Sequence, residues 1–191
     1  MTEEYLDILD EQGNKTGESR PYLEAHEKGL IHSAVHVWIV NSKNEILIQK
    51  REKNRRFFPG HWDISSAGHV SAGQTSLEAG IREVKEELGL DIPTSKFTLI
   101  CTLWTDSILN AGAFINKEFN PVYVVKADID ISDIKLLDGE VEAVKFLSIS
   151  EFKDWISGKG EKMVPHEEEY TKLLDYLDKK WRALRTSLQT D

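Results

Sequence analysis

The chain has 191 residues, with 33 acidic side chains against 24 basic ones and a formal net charge of −9. With 40% hydrophobic and 30% charged residues it has the balance of one folded domain, large enough to bury a core without disulfides. The acidic balance excludes nucleic-acid binding through a broadly basic surface, the single Cys101 excludes an internal disulfide or a cysteine-built metal site, and no apolar run approaches a membrane span.

Residues 5–10 alternate as a short strand, and Gln12-Gly13-Asn14-Lys15 turns it into a hairpin over 4–19. Ser19-Arg20-Pro21 starts a helix that runs to about His26 and stops near Gly29. Residues 34–40 and 45–50 flank a polar turn and read as a β-hairpin. The basic loop Lys50–Arg56 leads into Phe57-Phe58-Pro59-Gly60-His61-Trp62. A helix is expected over 75–88, strands over 97–105, 119–127 and 141–149, and a short helix over 150–157. The last helix spans 166–186, with Tyr170, Leu173, Leu174, Leu177, Trp181 and Leu184 on one stripe. Its acidic start at Glu167–Glu169 and basic end at Lys179, Lys180, Arg182 and Arg185 suit the helix dipole. Strands on both sides of a central helix, without regular alternation, predict an α+β domain with a mixed sheet. The acidic Met1-Thr2-Glu3-Glu4 start has no signal-peptide character, so cytoplasmic residence is the default expectation.

Residues 68–90 carry the most chemistry. Thr75-x-x-Glu78 is a capping box and Gly89 a C-terminal stop. At 100° per residue, Leu77, Ile81, Val84 and Leu88 fall within about 60°, the expected buried stripe, while Glu83, Glu86 and Glu87 share another arc of about 100°. Ala79 and Gly80 lie on the carboxylate side and are expected to leave room for an approaching ligand. Three carboxylates at this spacing repel one another, and Mg²⁺, which prefers oxygen ligands, removes that repulsion.

The pattern Gly68-x5-Gln74-x7-Arg82-Glu83-Val84-x-Glu86-Glu87-x-Gly89-Leu90 resembles the Nudix box, with Gln74 where the family has Glu. Pro59-Gly60-x-Trp62 resembles the usual lead-in. The resemblance implies a Nudix-type α/β/α sandwich around a mixed β-sheet, one domain over 1–191 with an N-terminal extension at 1–30. It implies hydrolysis of nucleoside diphosphate-type small molecules, with Glu83, Glu86 and Glu87 as catalytic residues and ligands of Mg²⁺, or of Mn²⁺ in its place. Arg82 would orient a carboxylate. The amide of Gln74 can accept a bond from Arg82 but carries no charge.

A second resemblance is to type I isopentenyl-diphosphate isomerase, a branch of the same fold. It rests on Asp10-Glu11-Gln12-Gly13-Asn14, on Ala25-His26-Glu27-Lys28-Gly29-Leu30-Ile31-His32, on His69 and on Glu118 before Asn120-Pro121. It implies a second metal site of His26, His32, His69 and Glu118, and a diphosphate-binding region at Arg51, Arg55 and Arg56, to which Gly68 is added. Ala67 stands where the isomerase has its catalytic Cys, and Asn116 replaces a metal carboxylate. A methyl group cannot exchange a proton. The expectation is therefore a hydrolase of a small-molecule diphosphate, without nucleic-acid or membrane partners. The alternatives are the isomerase and a non-catalytic nucleotide-binding module.

The basic loop has its own reading as a phosphate clamp, since Arg suits bidentate phosphate contacts. Trp62, Trp104 and Phe114 are candidates for stacking on a base, with core packing as the competing fate. Glu140 and Glu142 are candidates for an extra ligand. His36 is expected to pack, and neither His61 nor His166 is given a role.

Overall fold

The structure, a computed structural model, describes residues 3–109, 114–136 and 139–187, with side chains to residue 180. Strands β1 (Tyr5–Leu9) and β2 (Lys15–Pro21) form an antiparallel hairpin, followed by helix α1 (Tyr22–Lys28). Gly29 ends α1 in the left-handed conformation at φ 61°, which a residue without Cβ adopts freely. The main sheet contains β3 (His32–Val40), β4 (Ile46–Arg51), β5 (Trp62–Asp63), β6 (Ser66–His69), β7 (Phe97–Leu109), β8 (Phe114–Lys126) and β9 (Val141–Leu147). Helix α2 (Ser76–Leu88) follows β6; α3 (Ile149–Asp154), with a π-helical extension, and α4 (Glu167–Ser187) close the chain. Among the described residues no helix is long and apolar enough to cross a membrane.

β3 and β8 pair in parallel at the centre, and β7–β8, β4–β9 and β3–β6 pair antiparallel, so the sheet is mixed. Alternation along β3 and β8 divides the core. Val35, Val37, Ile39, Tyr123 and Val125 pack with Val84 and Leu88 of α2, whereas Trp38, Val40, Val122 and Val124 pack with Phe152 of α3 and Tyr170, Leu173 and Leu177 of α4. Strands covered on both faces read as nearly unbroken apolar runs. Helices thus cover both faces of a mixed sheet; the patterning predicted the mixed sheet, and the resemblance implied the two-sided cover.

Three expectations are corrected. The hairpin over 34–40 and 45–50 pairs only at its neck, Val40 with Ile46. Below that point β6 takes the edge of β3 and β4 turns to β5 and β9, so the sheet forks. Ala79 and Gly80 do not open a ligand path: both are buried, and a Cβ on Gly80 would lie 3.2 Å from Val37, so they let α2 approach β3 closely. Ile81 is only partly buried, while Glu87, assigned to the polar arc, is buried. The stripe of α4 is seen at Tyr170, Leu173 and Leu177; Trp181, Arg182, Leu184 and Arg185 lie outside the described side chains.

Candidate functional site

A cleft of about 950 Å³ opens at the fork, between Arg51 on β4, Ala67–His69 on β6 and Asn116 and Glu118 on β8. Helix α2 enters from below. Thr75 caps it through the predicted reciprocal pair with Glu78, which fixes the angular position of every later side chain.

The carboxylates of Glu83 and Glu87 lie against β6. That of Glu83 sits over Gly68 so closely that a Cβ there would fall 2.1 Å from it, so only glycine admits this placement. Glu87 is 4% exposed and accepts from the Ala67 backbone N–H at 3.2 Å, with Gln49 Nε2 at 3.4 Å. Glu83 and Glu86 share Arg82 Nη1 at 2.8 Å each, and Arg82 Nη2 donates to the His69 carbonyl at 2.8 Å. Arg82 Nε reaches Gln74 Oε1 at 3.4 Å, so Gln74 serves as a weak partner of Arg82, and it does not line the cleft. Burial pushes the Glu83 carboxyl up to about 7; Arg82 opposes this and Glu86 adds to it.

Above these carboxylates stand His26, His32, His69 and Glu118. The parallel register sets His32 beside Glu118, and β6 brings His69 alongside through Ala34. One oxygen, Glu118 Oε1, lies 3.7, 3.3 and 3.5 Å from Nε2 of His26, His32 and His69. His26 Nδ1 meets the Tyr22 carbonyl at 2.8 Å and His32 Nδ1 the Leu30 carbonyl at 2.9 Å. A carbonyl only accepts, so each Nδ1 carries a hydrogen and each Nε2 is the ring nitrogen turned inward, toward Glu118. All three Nε2 atoms are buried without a hydrogen-bond partner. The four donor atoms lie within 4.8 Å of one another, compatible with the spacing of about 3.4 Å around a tetrahedral transition metal. Burial raises the Glu118 carboxyl, but the three imidazoles outweigh it and hold it well below the usual range. This donor set, with carbonyls fixing two tautomers, fits a divalent metal.

The basic loop is divided. Arg51 donates Nε to the Phe57 carbonyl at 3.1 Å and Nη1 to Asp63 at 2.8 Å. Arg55 pairs with Glu140, and Arg56 lies over the rings of Phe57 and Phe114, 5.2 and 5.0 Å from their centroids. All three arginines line the cleft, as does Glu140, while Glu142 pairs with Lys50. Phe114 stacks on His26 at 4.1 Å, Trp62 belongs to the core, and Trp104 packs on Phe119 at a separate groove. Ala67 lines the cleft where the isomerase resemblance requires a thiol.

Sequence reasoning missed Asp63, His166 and Glu169. Asp63 is 4% exposed, between Arg51 and His166 Nε2 at 3.0 Å. Glu169 accepts from Trp38 Nε1 at 2.7 Å and meets His36 Nδ1 at 2.7 Å. Asp63 next to Trp62 carries no spacing signal, and His166 belongs to an acidic helix start, so only the fold brings them together.

A family model described as NUDIX domain matches residues 30–171. Nudix hydrolase 3 of Arabidopsis thaliana is 42% identical over 182 residues, 93% of this chain; the chain spans 24% of that protein's length. An isopentenyl-diphosphate Delta-isomerase of Salmonella heidelberg is 29% identical over 153 residues, 80% of each chain. A solved crystal structure from Deinococcus radiodurans superposes with a TM-score of 0.66 at 20% identity, covering 87% of this chain and 96% of that one, which is a shared fold.

Proposed function

The chain belongs to the Nudix family, and from that premise we propose that it is a divalent-metal-dependent hydrolase of a diphosphate bond in a small, nucleoside diphosphate-type molecule. One observation supports this above the rest: Glu83 and Glu87 press on the same short strand while Arg51, Arg55 and Arg56 line the same cleft. A polyanion entering beside Glu83, Glu86 and Glu118 meets repulsion unless cations accompany it. Mg²⁺ or Mn²⁺ held by Glu83, Glu86 and Glu87 would polarise phosphoryl oxygens and acidify the attacking water. The rest falls to the chain itself. The arginines that line the same cleft neutralise phosphate charge. Burial pushes Glu83 up to about 7 in the metal-free cleft, and a bound cation would return it to the ionised, ligating form. Water adds to one phosphorus, the bridging P–O bond breaks, and the bridging oxygen leaves on the other phosphate.

We propose a second centre at His26, His32, His69 and Glu118, where a borderline transition metal such as Zn²⁺ would suit the imidazoles better than Mg²⁺. The isomerase reading draws support from this same donor set, but Ala67 leaves no proton-exchanging side chain at that position. The test is a screen of nucleoside diphosphates, triphosphates and their conjugates with Mg²⁺ or Mn²⁺. Metal-dependent phosphate-group release supports the hydrolase; tight binding without turnover supports the non-catalytic module.

A further inference from the structure

We propose that Asp63 and His166 are positioning residues for Arg51, and that through them the start of α4 forms part of the apparatus that binds diphosphate. This rests on the reading of the cleft as a diphosphate site.

The guanidinium of Arg51 has three nitrogens. Nε is committed to the Phe57 carbonyl and Nη1 to Asp63 Oδ2, which leaves Nη2 for a ligand in the cleft that Arg51 lines. Two fixed bonds on a planar group determine the direction of the third. The anchor is Asp63, a buried carboxylate whose second oxygen, Oδ1, is shared by the Ile64 backbone N–H at 2.8 Å and His166 Nε2 at 3.0 Å. Because a carboxylate only accepts, His166 presents Nε2–H to it. Both oxygens are therefore held, and the carboxylate cannot rotate without breaking a bond.

His166 is itself fixed. It directly precedes α4, and its carbonyl accepts the Tyr170 N–H at 2.9 Å in the first turn. One turn on, Glu169 is 2% exposed and joins the helix to β3 through Trp38 and His36. The His36 and His166 rings are 5.5 Å apart. The helix start thus carries two polar ties, Glu169 to the sheet and His166 through Asp63 to the guanidinium. What sets this pair apart is that Arg51 itself lines the cleft while its carboxylate anchor is buried and held at both oxygens.

The experiment measures inorganic pyrophosphate binding to the full chain by calorimetry with Mg²⁺. Arg51→Ala is expected to weaken binding at least about tenfold, the scale of a charge-assisted contact. His166→Phe keeps the ring volume, removes the donor, and should weaken binding about fivefold. His166→Gln restores an N–H donor and should bind within about twofold of wild type. In the Arg51→Ala background, His166→Phe should have no further effect, because its contribution passes through Arg51. If His166→Phe does not fold, ¹⁵N-histidine spectra of the wild type replace it: the His166 Nε2–H signal, assigned with His166→Gln, should shift on adding pyrophosphate and stay put in Arg51→Ala. Unchanged pyrophosphate affinity in His166→Phe, additive losses in the double variant, or an unmoved His166 signal would overturn the positioning role while leaving the diphosphate reading intact. No pyrophosphate binding by the wild type would overturn both.

Discussion

Gly68→Ala isolates the placement of one carboxylate from the stability of the fold. Gly68 lies on β6 outside the positive-φ glycines, so alanine meets no backbone strain there. Its Cβ would lie 2.1 Å from Cδ and Oε1 of Glu83 and 2.6 Å from Oε2, where ordinary contact begins at 3.4 Å. The atoms in the way form the end of a flexible side chain, so the fold survives with a stability change of about 1 kcal/mol or less. The carboxylate, however, must retreat by about 1 Å or more, and a misplacement of that size costs about 10²-fold in rate. The assays are metal-dependent turnover and urea unfolding of the same preparation. Adding Glu83→Asp withdraws the carboxylate by one carbon–carbon bond, about 1.5 Å, and should recover part of the activity in the double variant. Wild-type turnover in Gly68→Ala would refute the claim that Glu83 works from its seat over Gly68.

Three further outcomes follow from the same geometry. Gln74→Glu should strengthen the long contact with Arg82 and leave turnover equal or higher; a fall would show that the amide is required. Asp63 is held down to about 2, from an ordinary 3.8, by His166 and Arg51 against the penalty of burial, so its contribution is complete above pH 3.8 and is lost as the pH falls through about 2. The stability gap between wild type and Asp63→Asn should thus narrow by about 2 kcal/mol from about pH 5 to about pH 2 in urea titrations; a constant gap would remove the ionised pair. Isopentenyl diphosphate should take up no deuterium from heavy water with Mg²⁺, Mn²⁺ or Zn²⁺, because Ala67 exchanges no proton; metal-dependent label absent in Glu118→Gln would restore the isomerase reading.

Local chemistry made much of the fold legible. The capping box at Thr75 and the stop at Gly89 are short-range signals, and both appear where they were expected; the strand expected over 119–127 begins earlier, at Phe114. The fork was not legible, because β5 and β6 have only two and four residues, too few to show a period. The burial of Glu87 was not legible for the same reason: the fork lets β6 carry a backbone donor, Ala67, onto the carboxylate side of α2. The histidines of the cleft were legible only through resemblance. Their inward-turned Nε2 atoms depend on the Tyr22 and Leu30 carbonyls, which no spacing rule reveals. Asp63 and His166 lie 103 positions apart and needed the fold itself.

The central claim is that this cleft adds water to a diphosphate bond with divalent metal held by the carboxylates of α2. Turnover of nucleoside diphosphate conjugates in ¹⁸O-labelled water, read by mass spectrometry of the phosphate products, tests it most directly. The account predicts one ¹⁸O in a phosphate product, dependent on Mg²⁺ or Mn²⁺ and reduced at least about 10²-fold in folded Glu87→Gln. Label incorporation unchanged by Glu87→Gln, or no labelled product from any conjugate with either metal, would contradict it.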